Sequence, residues 1–367
     1  RQKEIPLTKV TSRLEEREFT NALINVSRNA IPKVYFLDGH GGRDIDSEDQ
    51  VNGGHLFKAL LQHESYEVEK LLLTSENASI PPDCAVLVIN DYTSDLQEDE
   101  IVALDTYLRN GGRLLFLFNP STIEQDDVSA QERLKPWLLS RLGVDVQTDI
   151  ILSEMTGGVD VNLLTDFAQL GNYQDTAPNA VEFRGSYHAT HPITRNIGVI
   201  TNLQYLRSVV LVEPLPDRVV GSSILRTTPD TWGEVDFDRL ELGEQHRDGY
   251  EASGPNSIAV AMTYQSERAT LEGEKSSDGR VVVIGNSQCT ANQLVLEAGT
   301  ADLLLNTIAW LTESEDLIAI RPRGNETAIL RLSLNEQRTI IWISVLGTVQ
   351  AVILAGIGTF LFRRRYQ

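Results

Sequence analysis

The chain has 367 residues, a formal net charge of −20 and 41% hydrophobic side chains, enough for one large or two ordinary domains with cores of their own. Its 52 acidic residues outnumber 32 basic ones, so no phosphate-tracking surface forms and nucleic acid is excluded as a partner. Two cysteines, Cys84 and Cys289, are too few for a disulfide framework or a zinc site of their own, although one bridge between them stays open.

The chain opens on Arg1 with no signal-like stretch, so a segment carrying a signal or a further membrane span is expected ahead of it. Residues 11–28 read as a helix: Ser12 and Glu15 fit a capping box, and Leu14, Phe19, Leu23 and Val26 share a face. Val34-Tyr35-Phe36-Leu37 is a short apolar strand that closes in Asp38-Gly39-His40-Gly41-Gly42. An acidic loop covers 43–50, a helix 53–63 and a strand 66–73, and Ala85-Val86-Leu87-Val88-Ile89 is the clearest buried strand. Asn90-Asp91-Tyr92 ends it at the carboxyl edge. The next helix pairs Ser94 with Gln97 as a capping box, places Ile101, Leu104 and Leu108 on one face, and stops at Gly111-Gly112. A strand over 113–118, a helix over 134–142 and a strand over 144–151 follow. Strands and helices alternating at this spacing predict an α/β fold, a parallel sheet with helices on both faces.

From 153 to 279 the pattern loosens. Strands are expected over 204–212, 219–225 and 257–264, with Gly, Pro, Asp and Ser in the connections and an acidic surface loop over 227–253. This predicts a mostly β insertion. The α/β pattern returns with Arg280-Val281-Val282-Val283-Ile284-Gly285, a loop over 286–290 and a helix over 302–311. The expected organisation is therefore a helix and linker over 1–31, an α/β domain over 32–152 and the insertion over 153–279. A returning βα unit over 280–320 and a juxtamembrane linker over 321–339 come next.

Residues 340–362 carry no charged side chain. As a helix they would reach roughly 34 Å, enough to cross a hydrocarbon core of about 30 Å. Trp342 sits where an indole rests among headgroups, and Arg363, Arg364 and Arg365 mark a cytoplasmic tail over 363–367. A single C-terminal transmembrane helix in an inner or plasma membrane follows, with everything before it on the non-cytoplasmic side. Gly347, Ala351, Ala355 and Thr359 recur every fourth residue, a small-residue stripe that suits close packing on a partner helix in the bilayer.

Candidate sites are few. Asp38, Gly39, His40 and Gly41 stand at the carboxyl end of a strand, where open α/β sheets hold ligands. Their glycines either admit backbone N–H groups to an anion or serve a tight turn at positive φ. The stretch lacks GxGxxG spacing and any GK[ST], so no nucleotide cofactor is expected. Asp44, Asp46, Glu48 and Asp49 lack the Gly and Glu of a calcium loop, and His40, His55 and His63 lack HExxH spacing, so no metal is expected. His191-Pro192 reads as a rigid turn.

Several stretches together resemble one family. They are Phe19-Thr20-Asn21-Ala22-Leu23, Val34 to Gly41, His191-Pro192-Ile193-Thr194, Val281 to Ser287, Asp302 to Leu311, Ile318-Ala319-Ile320-Arg321-Pro322-Arg323, and the terminal span with its arginines. In this order, over nearly the whole chain, they resemble the GldG family, gliding-motility-type auxiliary components of ABC transport systems. The resemblance implies a class I glutamine amidotransferase-like (flavodoxin-like) ectodomain, and as partners an ABC permease and ATPase made by other chains. Amidotransferase chemistry needs a Cys on a strand-to-helix turn, with a His and a carboxylate. Asn90-Asp91-Tyr92 has no thiol, Cys84 stands at the wrong end of its strand, and Cys289 has no His downstream. The expectation is a non-catalytic, membrane-anchored auxiliary subunit acting in binding or assembly. The alternative is a structural ectodomain of another membrane complex, such as an oligosaccharyltransferase-like assembly.

Overall fold

The protein's structure is a computed structural model describing residues 31–74, 78–120, 133–170, 182–242, 251–266, 278–297 and 299–314, with a few single positions besides. The chain divides into two units, Arg1–Gly324 and Asn325–Gln367, and every element below belongs to the first. The helix expected over 11–28 lies outside the described residues, as does the span over 340–362 apart from Gly356 and Ile357. Among the described residues no helix is long and apolar enough to cross a membrane.

The unit begins β1 (Lys33–Asp38), α1 (His55–His63), β2 (Glu67–Leu72), β3 (Cys84–Asn90), α2 (Glu98–Arg109), β4 (Arg113–Leu117) and α3 (Leu134–Leu142). Short strands follow: β5 (Val144–Val146), β6 (Ile150–Ser153), β7 (Asp160–Leu163), β8 (Phe183–Arg184), β9 (Tyr187–His188), β10 (Thr201–Gln204) and β11 (Val209–Leu211). Then come β12 (Val219–Arg226), β13 (Thr231–Glu234), helix α4 (Phe237–Glu241), β14 (Ala252–Ser253) and β15 (Ser257–Tyr264). β16 (Gly279–Ile284) and α5 (Thr300–Leu311) close the unit.

Nine strands form the main sheet in the order β2-β1-β3-β4-β16-β15-β12-β9-β8. The first five run parallel, and from β16 outward the pairing is antiparallel. β12 and β15, which arise in the stretch expected to form an insertion, thus continue the same sheet. The side-chain period of two gives each parallel strand two buried faces. Val34, Phe36, Val86, Val88, Val282 and Ile284 join Phe57 and Leu61 of α1 and Leu304 and Ile308 of α5 in one core. Their neighbours Tyr35, Leu37, Leu87, Ile89, Val281 and Val283 join Leu104 and Leu108 of α2 and Leu138 of α3 in another. Each such fully buried aliphatic side chain contributes roughly 1.5–3 kcal/mol relative to exposure.

Three local expectations are corrected. The N-cap of α2 is Gln97 rather than Ser94, and Glu100 accepts from the Gln97 N–H at 2.7 Å; the Ser94 N–H is taken by the His40 carbonyl at 3.1 Å. The strand expected over 144–151 is broken into β5 and β6, which pair with β11 and β13 in separate small sheets. The stretch expected as an acidic surface loop over 227–253 contains β13, buried at all four positions, because β6 and β14 flank it.

His191-Pro192 folds as a turn that fastens β9 to α5. The His191 ring accepts from the Ile193 N–H at 3.3 Å and lies 5.3 Å from the Trp310 ring, while Asn306 donates to the Ile193 carbonyl at 2.9 Å. Burial first, then the positive fields of His188, Arg280 and Arg195, lower the His191 pKa to about 4. The unfolded chain therefore binds more protons than the folded one between about pH 6.5 and 4, so stability falls as pH drops through that window. A loss of about 2–3 kcal/mol is expected, levelling below pH 4. Urea midpoints measured from pH 7.5 to 3.5 test it: His191→Asn keeps an acceptor for Ile193 but should flatten that limb, and an unchanged slope would refute the assignment.

Candidate functional site

The carboxyl ends of β1, β3, β4 and β16 are neighbours in the sheet, so the turns that follow them converge. After β1, Gly39 (φ +92°) and Gly41 (φ +69°) take left-handed backbone that favours glycine. A Cβ on Gly41 would fall 2.0 Å from Thr93 Oγ1. His40 is buried, with Nε2 3.2 Å from Glu100 Oε1, and its carbonyl accepts from the Thr93 N–H at 2.9 Å. Asp38 is exposed. The turn thus leans on the start of α2 through Glu100, and the residue it sends toward the neighbouring strand ends is Arg43.

Arg43 has a side chain only 1% exposed. Its guanidinium donates to Asp91 Oδ2 at 3.3 Å, to Gln288 Oε1 at 3.1 Å and to the Val51 carbonyl. Asp91 follows β3 directly and holds φ at +55°, a conformation that Asp tolerates better than most residues but still at a cost. Its other oxygen accepts from Asn119 Nδ2 at 2.6 Å. Burial raises the Asp91 pKa above the usual carboxylate range, opposed by Arg43, Ser287 and Asn119. Beside it Asn90 donates to Thr290 Oγ1 at 2.9 Å. Ser287, fully buried, lies beside Asp91 and favours its carboxylate form.

Strained strand-to-helix elbows are where some α/β enzymes present a nucleophilic Ser or Cys. Here the elbow presents a carboxylate already paired with a guanidinium. Neither cysteine stands at this elbow. Cys289 is buried with its thiol donating to the Asn286 carbonyl, and burial pushes its pKa up to about 12. Cys84 opens β3 at the opposite edge of the sheet, pushed up by burial to about 11; the two thiols are free. A thiolate nucleophile needs the reverse shift.

The acidic loop after Arg43 is spent on local structure. Asp44 and Asp46 hold Lys70 at 2.5 and 3.0 Å, Asp46 holds Lys58 at 2.5 Å, and Asp49 accepts from the Val51 and Asn52 N–H groups. Among the described residues no group of three or more His, Cys, Asp or Glu side chains is placed to hold a metal. Gly347, Ala351, Ala355, Thr359, Trp342, Arg363 and Arg365 lie outside the described residues, and Arg364 is described only as helical. Arg43, Asp91, Asn119 and Ser287 were not singled out from sequence. Their signal was positional: each lies at or just after the carboxyl end of a predicted strand.

A family model described as "ABC-type uncharacterized transport system" matches residues 31–308. No curated protein matches the sequence. Among solved structures, the chain is similar to one titled mmIFT52 N-terminal domain, at 11% identity and TM-score 0.47 over 76% of this chain and 97% of that one. A second is a ThuA-like protein from Bacteroides uniformis, at 13% identity and TM-score 0.37 over 77% and 93%. A third is a cytoplasmic protein from Salmonella typhimurium, at 10% identity and TM-score 0.41 over 76% and 98%.

Proposed function

This chain belongs to the ABC-type uncharacterized transport system family of auxiliary components, and from that premise we propose that it is a membrane-anchored, non-catalytic subunit of such a system. The observation that carries the non-catalytic reading is the β3 elbow, where Asp91 is held by Arg43 and Asn119 and both cysteines have pKa values raised by burial. A class I amidotransferase-like ancestry fits five parallel strands with helices on both faces, with the nucleophile replaced. The uncharged stretch over 340–362 and the three arginines after it support anchoring at the C-terminus with the folded unit on the non-cytoplasmic side. An ABC permease and ATPase are the partners, and a gliding-motility-type system is the finer assignment within this reading.

The experiment is affinity capture of the tagged full-length chain from detergent-solubilised membranes. The expected result is co-recovery of an ABC permease and ATPase, reduced about ten-fold when Ala351→Leu and Ala355→Leu fill the small-residue stripe. Capture of the chain without either transporter subunit would overturn the proposal, and full recovery by the double variant would remove the stripe from it.

A further inference from the structure

We infer that the groove between α2 and the strap over residues 78–82 is the seat of the chain's own leading segment, residues 11–28, bound as a helix through Phe19, Leu23 and Val26. The inference concerns the amino edge of the sheet and holds whichever system the protein serves.

The strap leads into β3 and, with α2, encloses a cavity of about 600 Å³. Its wall is preformed: Pro81 and Pro82 stiffen it, the Pro81 carbonyl accepts from the Cys84 N–H at 3.0 Å, and Ile80 packs on the core beneath α2. The facing wall carries Val102, 57% exposed, and Ala103. A lone exposed valine needs no explanation, but this one lines a concave surface.

The lining selects an apolar occupant. The Tyr107 hydroxyl donates to the Cys84 carbonyl at 3.1 Å, the Thr106 hydroxyl to the Val102 carbonyl at 2.8 Å and the Asn110 amide to the Thr106 carbonyl at 2.8 Å. Arg113 donates to Glu313 at 3.0 Å. These donors are turned onto the protein's own acceptors, whereas a pocket for a polar small molecule aims a few polar groups at its ligand.

The course of the chain selects which apolar occupant. β1 begins at Lys33, in register with Cys84, which lines the groove. Lys33 Nζ lies 2.9 Å from Glu69 and 3.2 Å from Asp83, so the start of β1 is pinned to the residue that follows the strap. The preceding chain therefore joins the fold beside the groove, through Ile31, which is 53% exposed and which Pro32 biases toward extended backbone. Val26 is five residues further back, a reach of up to roughly 17 Å. Phe19, Leu23 and Val26 stand at i, i+4 and i+7, the spacing by which an amphipathic helix fills a groove. Charge agrees. Residues 1–30 hold six basic and four acidic side chains in a chain of net charge −20, and Glu98 and Asp99 stand exposed at the start of α2, Asp99 on the groove itself.

Cys84 supplies the reporter, since a seated helix shields its thiol, while Cys289, 1% exposed, reports opening of the fold. The full-length chain in detergent is labelled with N-ethylmaleimide, and each thiol is followed by mass spectrometry. Phe19→Asp with Leu23→Asp should speed labelling of Cys84 ten-fold or more and leave Cys289 slow. Ile24→Asp, on the far side of the same helix, should change neither. Val102→Asp alters only the exposed groove wall and should also speed Cys84, so the inference stays testable if the double variant opens the fold and exposes both thiols. A synthetic peptide of residues 11–30 added to the double variant should restore protection, and the same peptide with both substitutions should not. Labelling of Cys84 indifferent to the double variant and to Val102→Asp would overturn the inference. So would protection that appears only when an ABC permease and ATPase are co-purified, which would give the groove to a transporter subunit.

Discussion

Replacing Arg207 with methionine is expected to lower the stability of the folded unit by about 3–5 kcal/mol. Arg207 is fully buried on the connection between β10 and β11. Its Nε donates to the Gln147 carbonyl at 2.7 Å and its Nη1 to the Asn119 carbonyl at 2.8 Å, with Nη2 also on Gln147. Burial lowers its pKa to about 10, so it stays charged at neutral pH, with the field of Asp149 opposing the shift. Methionine keeps much of the volume but takes the guanidinium's donors from both carbonyls and weakens the positive field at Asp149, to which Lys135 alone would still contribute. A charge-assisted hydrogen bond is worth about 1.5–3 kcal/mol, and a buried acceptor left unmade costs more than its bond contributed. Arg207→Lys should recover only part of the loss, since a point ammonium cannot span the same carbonyls. Urea unfolding followed by tryptophan fluorescence measures the difference, and a shift below about 1 kcal/mol would contradict the role given to Arg207.

Gly285→Ala is the second large effect, and its cause is space alone. Gly285 follows β16, and an added Cβ would fall 2.1 Å from the Arg207 carbonyl oxygen, which is backbone and cannot swing aside. The Arg207 N–H donates to the Gly285 carbonyl at 2.8 Å, and the Gly285 N–H to Ile258, also at 2.8 Å. Relief therefore means breaking ladder contacts on one side or the other, at about 2–3 kcal/mol. For a unit of this size that is a fall on the order of 3–6 °C in unfolding temperature. Gly198→Ala is the matched control, because nothing lies within 4 Å of the Cβ it would gain. Equal midpoints for the two variants in a thermal melt would rule out the contact as a constraint.

Both positions show where the sequence stopped being informative. The apolar runs of β1, β3, β4 and β16 announce themselves, because a parallel strand buried on both faces needs an unbroken set of branched side chains bounded by turn residues. Arg207 does not, since an arginine inside a short β-type stretch looks like a surface residue until the carbonyls of Gln147 and Asn119 arrive around it. β13 is hidden in acidic sequence because its burial comes from β6, far back in the chain. The cap of α2 moved from Ser94 to Gln97 because His40, on another strand's turn, occupies the Ser94 N–H. Asp91 is visible as a strand end, but its positive φ and its pairing with Arg43 are tertiary facts. Residue types could have suggested the site only by grouping the polar residues at four strand ends at once.

The placement of β16 has a consequence for how the molecule is made. β4 pairs on one side with β3, next to it in sequence, and on the other with β16, Arg113 opposite Arg280. Until the chain has been synthesised through Ile284, one edge of β4 has no neighbour, and its run of Leu114, Leu115, Phe116 and Leu117 is an open template for any passing strand. Ser287, Gln288 and Thr290 arrive in the same late stretch, so the polar cluster around Asp91 is among the last features to exist. In a growing chain of this design the parallel sheet is completed late, and completion of the sheet and assembly of the polar cluster at its carboxyl edge are one event.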